Sequence, residues 1–401
     1  MTKRVQTTTA VGVQIPQGNT QVLLLSTLSF AICFAVWCVY SPLGPHLRDE
    51  LHLSESQLAL LVSIPALLGS AARLPMGILT DMYGSRRVAT VLMVACFFST
   101  MLGMYANSYL TFVFCGLLIG MAGSIFAVGV PHVSRWYPPE RQGLAVGIFG
   151  LGNMGAAIST MFGERIIHYY LNDQWRNIFP VYAVPLLLIA VLYWKFAPDS
   201  PVTAKPKGTN ELLYLVKKTP LVWVFCLFYW VTFGGFVAFA LYLPTYFVMA
   251  YNVPHVTAGD LATTFVFTAS LIRPLGGYVA DRLPGRKILQ ALFAVAALCL
   301  ITEGLAPSLT VATCAFILLG ACFGMGNGVI FKLVPTYFAR ETGAVGGLVG
   351  AAGGLGGFFT PVILGISKDF TGSYAGGFAV AASFCLICLY FTRKEFQRVE
   401  S

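Results

Sequence analysis

Long apolar runs separated by short polar breaks dominate the chain. Twelve such runs lie at approximately 21–45, 56–80, 86–107, 109–134, 143–167, 177–197, 221–249, 257–281, 287–306, 308–332, 343–367 and 374–392. A helix needs about 20 apolar residues to cross the hydrocarbon core of a bilayer. A barrel strand needs only about 9–11, with alternating polarity. Runs this long and this unbroken predict an all-α membrane protein with twelve transmembrane helices.

Composition agrees. The 401 residues are 57% hydrophobic and 10% charged, against about 25% charged in soluble proteins. The net charge of +9 invites a nucleic-acid partner, but its distribution argues against one. Lys3, Arg4, Arg86, Arg87, Arg135, Arg141, Lys195, Lys205, Arg282, Arg286, Lys287, Arg340, Arg393 and Lys394 fall on one side of the spans. Arg48, Arg165, Arg176 and Lys368 fall on the other. This bias places both termini and the middle loop in the cytoplasm and the protein in the plasma (inner) membrane. The ten cysteines all lie in apolar stretches. Cys385 and Cys388 lack the further Cys or His of a metal site and read as small apolar filler. The first 20 residues are polar, with no cleavable-signal pattern, so the first span is retained.

The chain divides into a tail over 1–20, a six-helix half over 21–197, a linker rich in Pro, Lys and Thr over 198–220, a second half over 221–392 and a tail over 393–401. The halves repeat. Arg273, Gly277, Asp281 and Arg286 match Arg73, Gly77, Asp81 and Arg86 at an offset of 200 residues, and Gly320, Gly343, Gly347 and Gly350 match Gly120, Gly143, Gly147 and Gly150.

Arg73 and Arg273 sit inside apolar helices. A charge there costs roughly 2.5–3.5 kcal/mol on insertion scales, so each is a functional candidate. At equivalent depth in two repeated halves, they can face each other across a cavity suited to a small anion. The Gly77–Asp81–Arg86 motif and its repeat Gly277–Asp281–Arg286 end their helices on the basic side. An acidic residue facing basic loop residues can latch neighbouring helices there. Glycines recur at three- and four-residue steps in the fifth and eleventh spans, among them Gly150, Gly152, Gly155, Gly350 and Gly354, and let helices touch and slide. Close packing does not explain Asn153, an amide on that glycine-lined face. His132 reads either as a packed histidine or as a proton-handling group. Lys332 either snorkels to the cytoplasmic face or lines the cavity. No nucleophile–base cluster, cofactor motif or metal-ligand spacing is found, so neither an enzyme nor a cofactor is expected.

The loop motif after the second and eighth spans resembles that of the major facilitator superfamily. The run Gly150-Leu-Gly152-Asn153-Met-Gly155, the glycine-rich eleventh span, the two intramembrane arginines and the run Gly326-Asn327-Gly328-Val-Ile-Phe-Lys332 together resemble the nitrate/nitrite porter family within it. The resemblance implies two six-helix halves related by a pseudo-two-fold axis along the membrane normal. It also implies that Arg73 and Arg273 bind nitrate, that Phe126, Tyr229 and Phe233 enclose it, and that Asn153 donates a hydrogen bond.

Guanidinium matches nitrate: both are planar, and paired N–H donors meet paired acceptors. Two guanidiniums repel each other across an empty site, and a bound anion relieves that repulsion. The expected function is transport of nitrate, with nitrite, by alternating access in a monomer embedded in lipid. The alternatives are a carrier of formate or oxalate and a nitrate sensor that does not transport. The resemblance leaves nitrate/nitrite exchange and proton-coupled uptake both open. No carboxylate lies in mid-span, which favours exchange, and His132 and Lys332 are the candidate coupling groups if protons drive uptake.

Overall fold

The computed structural model describes residues 18–199, 219–338 and 342–400. Most of the expected N-terminal tail and linker lies outside these residues. Among the described residues, eleven helical segments are long and apolar enough to cross a membrane. They are α1 (Thr20–Leu51), α2 (Glu55–Tyr83), α3 (Ser85–Gly103), α4 (Tyr109–Arg135), α5 (Leu144–Tyr170), α6 (Trp175–Phe196), α7 (Pro220–Tyr251), α9 (Gly285–Gly304), α10 (Leu309–Val334), α11 (Val345–Thr371) and α12 (Ala375–Lys394). Between α7 and α9 lies α8 (His255–Ala280), a 26-residue helix. It is long enough to span but less apolar, because it carries Asp260, Arg273 and several hydroxyl residues. Val91, Phe98, Leu110, Leu188, Leu298 and Leu318 stand exposed on the surface, as expected of helices that meet hydrocarbon rather than water.

Two boundaries differ from the sequence pattern. The first span does not end at the Pro42–Pro45 stretch that closes the run 21–45, and only residues 52–54 between it and α2 are non-helical. A turn at Cys38 and Val39 interrupts α1, and the helix restarts at Tyr40 and runs to Leu51. Pro42 therefore falls in a first turn, where no intrahelical N–H is required. At the other terminus the last helix continues to Glu400, through most of the stretch read as a tail. A capping box opens α2: Ser54 accepts from the Gln57 backbone N–H, and the Gln57 side chain accepts from that of Ser54.

Each half packs its own six helices, and the halves meet chiefly through α2 with α11 and α5 with α8, with a smaller contact between the second part of α1 and α7. These two pairs frame the candidate site.

Candidate functional site

Helix geometry breaks where the candidate residues sit. α2 pauses at Ala72 and resumes at Arg73. Pro75 has no N–H to offer the Ala71 carbonyl, which weakens the helix at that point. In α5 the glycine-rich run tightens into a 3₁₀ turn over Leu151–Asn153. In α7 a π-helical turn covers Trp230–Gly234 and contains Phe233. A π turn marks a functional position in many helices, because its extra residue re-aims the side chains around it.

Around these breaks six side chains meet in a closed ring. The Arg73 guanidinium lies 5.6 Å from the Phe126 ring centre and 5.1 Å from that of Phe233. Phe233 stacks on Tyr229, with centres 4.9 Å apart and planes 1° from parallel. The Tyr229 hydroxyl accepts a hydrogen bond from Arg273 Nη2 at 3.3 Å. Arg273 lies 5.9 Å from the Phe331 ring, and Phe331 meets Phe126 at 6.5 Å, which closes the circuit. Tyr229 and Phe331 also meet edge to face at 4.9 Å. The ring takes Arg73 and Phe126 from the first half, and Tyr229, Phe233, Arg273 and Phe331 from the second.

The donors of this ring are under-used. Arg73 is 4% exposed. Its Nη1 donates to the Gly350 carbonyl across the halves at 2.6 Å, while its Nε and Nη2 are buried without partners. Arg273 Nη1 is likewise buried and unpartnered. Unpaired guanidinium N–H groups in an apolar setting are costly unless an acceptor arrives. Asn153 is buried, its Oδ1 has no partner, and its turn packs against α1 and touches α8. Phe331, in the run Gly326–Lys332, is not among the residues that the resemblance implies for the site. Its only sequence signal is its place between Asn327 and Lys332.

The remaining candidates have other surroundings. Asp81 pairs with Arg135 of α4, and Asp281 pairs with Lys332 of α10. The acidic residue of each motif is thus held by a neighbouring helix rather than by its own loop arginine. Arg86 pairs with Asp199 at 3.0 Å and lies over the Trp194 ring at 5.3 Å, and Arg286 reaches the Arg393 carbonyl at 3.5 Å. His132 is fully buried inside the first half. Its Nδ1 meets the Tyr193 hydroxyl, and its Nε2 meets the Pro198 carbonyl at 3.0 Å. Of the two readings of each residue, His132 takes the packed position inside the first half, and Lys332 is engaged in an ion pair with Asp281.

The two ends of the inter-half seam differ. At the end remote from the basic loops, Asp369 of α11 accepts from the backbone N–H groups of Glu55 and Ser56 at 3.0 and 2.9 Å. Thr160 meets Thr263 at 2.9 Å, and Arg165 holds Asp260 with two bonds, one of 2.7 Å. Near the ring, a Cβ on Gly354 would overlap Ser70 Oγ, and one on Gly353 would overlap the Tyr229 ring, so these glycines permit the close approach. Gly152 and Gly155 pack on Phe30 and Ala31 within their own half. Toward the basic end, Cβ atoms added at Gly77, Gly147, Gly150, Gly277, Gly347 and Gly350 would meet nothing within 4 Å. The α2–α11 and α5–α8 pairs are closed at one end and splayed at the other.

The profile of the Major Facilitator Superfamily matches residues 25–361 and 250–401. The chain is 34% identical to the nitrite extrusion protein of Bacillus subtilis (strain 168), over 91% of this chain and 93% of that protein. It is 36% identical to the probable nitrate/nitrite antiporter NarK1 of Thermus thermophilus, over 88% and 86%. Its fold is similar to that of a D-xylose–proton symporter, with a TM-score of 0.74 at 18% identity, over 94% of this chain and 97% of that one. The chain belongs to the Major Facilitator Superfamily and, within it, to the family of the nitrate/nitrite transporters.

Proposed function

We propose that this protein moves nitrate across the plasma (inner) membrane by alternating access, in exchange for nitrite, with the anion held between Arg73 and Arg273. One observation carries this reading: buried, unpartnered donors on both arginines converge on a ring of aromatic faces. Planar N–H pairs suit a planar oxyanion, and the aromatic walls exclude water around it. Asn153 supplies a further polar contact from the first half.

The basic end faces the cytoplasm under the positive-inside rule, with both termini on that side. The splayed seam then corresponds to the state open to the cytoplasm. The motifs at Asp81 and Asp281 sit at the cytoplasmic gate, and the protein works as a monomer.

Entry of an anion against a negative-inside potential is opposed by about 2.3 kcal/mol per charge per 100 mV. Exchange removes that barrier, since one anion leaves as another enters. It requires only that the repelling arginines resist closing when empty. The engagement of His132 and Lys332 supports exchange over proton-coupled uptake.

The test is nitrate uptake into liposomes carrying the purified protein, either loaded with nitrite or empty under an inward proton gradient. Rapid uptake only into the nitrite-loaded liposomes is expected. Concentrative uptake into empty liposomes would overturn exchange, and no nitrate movement in either case would overturn the substrate.

A further inference from the structure

At the closed end of the seam, three residues from three helices converge. His46 lies on the second part of α1, Glu164 on α5 and His255 at the start of α8. His46 Nε2 stands 3.2 and 3.1 Å from the two Glu164 oxygens. His255 Nδ1 stands 3.3 Å from Glu164 Oε1. One ligand atom from each residue lies within 4.8 Å of the other two. The imidazole rings are 5.1 Å apart and nearly perpendicular, at 87°. None of the three takes part in the anion ring.

We propose that His46, Glu164 and His255 bind a divalent transition metal ion, with zinc the best fit. Two imidazole nitrogens and one carboxylate form a donor set suited to tetrahedral zinc. With metal–ligand bonds of about 2.0–2.1 Å, tetrahedral ligands lie about 3.3 Å apart. The separations from Glu164 to each histidine match that figure, and the two histidine nitrogens, within 4.8 Å of each other, reach it by side-chain adjustment. The ring of His46 stacks on Trp175, with centres 6.4 Å apart, which fixes its orientation. Glu164 is 6% exposed, so its carboxylate is already committed to these partners. The histidine side chains are 17% and 34% exposed, which lets an ion reach them from outside. A small cavity bounded by Pro42, Pro45, Thr160, Pro244 and Val248 adjoins Glu164 and His255, and leaves a side for a fourth ligand.

Position gives the site a consequence. His46 and Glu164 belong to the first half, and His255 belongs to the second. A metal ion joining them ties α5 to α8 where the seam must part for the carrier to open outward. Bound metal therefore holds the closed-outside state and slows exchange. The slowing rests on the transport reading above, whereas binding itself does not.

The first experiment titrates Co²⁺ into tag-free purified protein and reads the visible d–d absorption of a four-coordinate site. One equivalent should bind, be displaced by Zn²⁺, and persist in His168→Ala, which alters a histidine outside the cluster. Binding should weaken in His46→Ala, Glu164→Gln and His255→Ala by more than the roughly 10–100-fold typical of losing an outer partner. No visible band in the wild-type protein would overturn the site, as would a band unchanged in these variants. If His46→Ala or Glu164→Gln does not fold, His255→Ala decides alone, because its half-exposed residue begins its helix. The second experiment adds Zn²⁺ outside nitrite-loaded liposomes. Slower exchange in the wild type, relieved in His255→Ala, is expected. Binding without slowing would overturn the tie between halves.

Discussion

Arg73 and Arg273 occupy matching positions in a repeated sequence, yet the fold uses them differently. Arg73 follows a helix break, points across the seam and donates to the Gly350 carbonyl in the other half. Arg273 sits in an unbroken helix, before Pro274, and donates to Tyr229 in its own half. Pro75 leaves the Ala71 carbonyl without its helical donor and Pro274 does the same to Ser270, yet only α2 breaks, at Ala72, while α8 stays helical through Arg273. A repeat therefore fixes depth and charge but not the partner. Arg73 couples the site to the seam, and Arg273 anchors the site to the second half.

The largest effect that sharpens this contrast is Arg73→Lys. Lysine keeps the charge but loses the planar paired donors. Nitrate/nitrite counterflow should fall by about 100-fold, the scale of one or two hydrogen bonds to a charged group. Arg273→Lys should cost about tenfold by the same scale, with membrane insertion intact in both. Equal losses in the two variants would remove the distinction between seam and anchor.

Gly354→Leu and Gly150→Leu come next. A side chain at Gly354 collides with Ser70, whereas one at Gly150 meets open space. Gly354→Leu should therefore disfavour the state described here. Gly150→Leu should be accommodated in this state and trap it, so that exchange stops while nitrate still binds from the cytoplasmic side. Accessibility labelling from each side separates the two outcomes, and unchanged exchange in both variants would reduce these glycines to fillers.

Asn153→Ala should weaken nitrate affinity about tenfold, the worth of one hydrogen bond to an ion. Phe331→Ala should weaken it by only a few-fold, the scale of an exposed cation–π contact of about 0.5–1 kcal/mol. The smallest effect belongs to His132→Ala. It should lower thermal stability by emptying a packed position while leaving the proton dependence of transport unchanged. Loss of a proton-driven component in that variant would return His132 to the mechanism.

The spans were legible because a bilayer imposes a length on every helix that crosses it. The run at 257–281 made α8 legible as well, despite its lower hydropathy. Both arginines stood out because a charge in hydrocarbon is costly wherever it occurs. The turn at Cys38–Val39 was not legible, since neither residue is a helix breaker, and the nearby prolines pointed to a stop that does not exist. Partners across the fold were also hidden. The motif at Asp81 points to basic residues near it, but its ion pair is with Arg135, which lies 54 residues away. His46 and Glu164 are 118 residues apart, and no spacing rule joins them. What a residue costs locally can be read from sequence, but which residue relieves that cost depends on packing.

The most direct test of the two-arginine site is calorimetric titration of nitrate into the purified wild-type protein, Arg73→Lys, Arg273→Lys and the double variant. The wild type should bind one nitrate per chain. Each single variant should bind far more weakly, and the double variant should show no measurable heat. Nitrate binding at wild-type affinity in either single variant would contradict the assignment of the site to this pair.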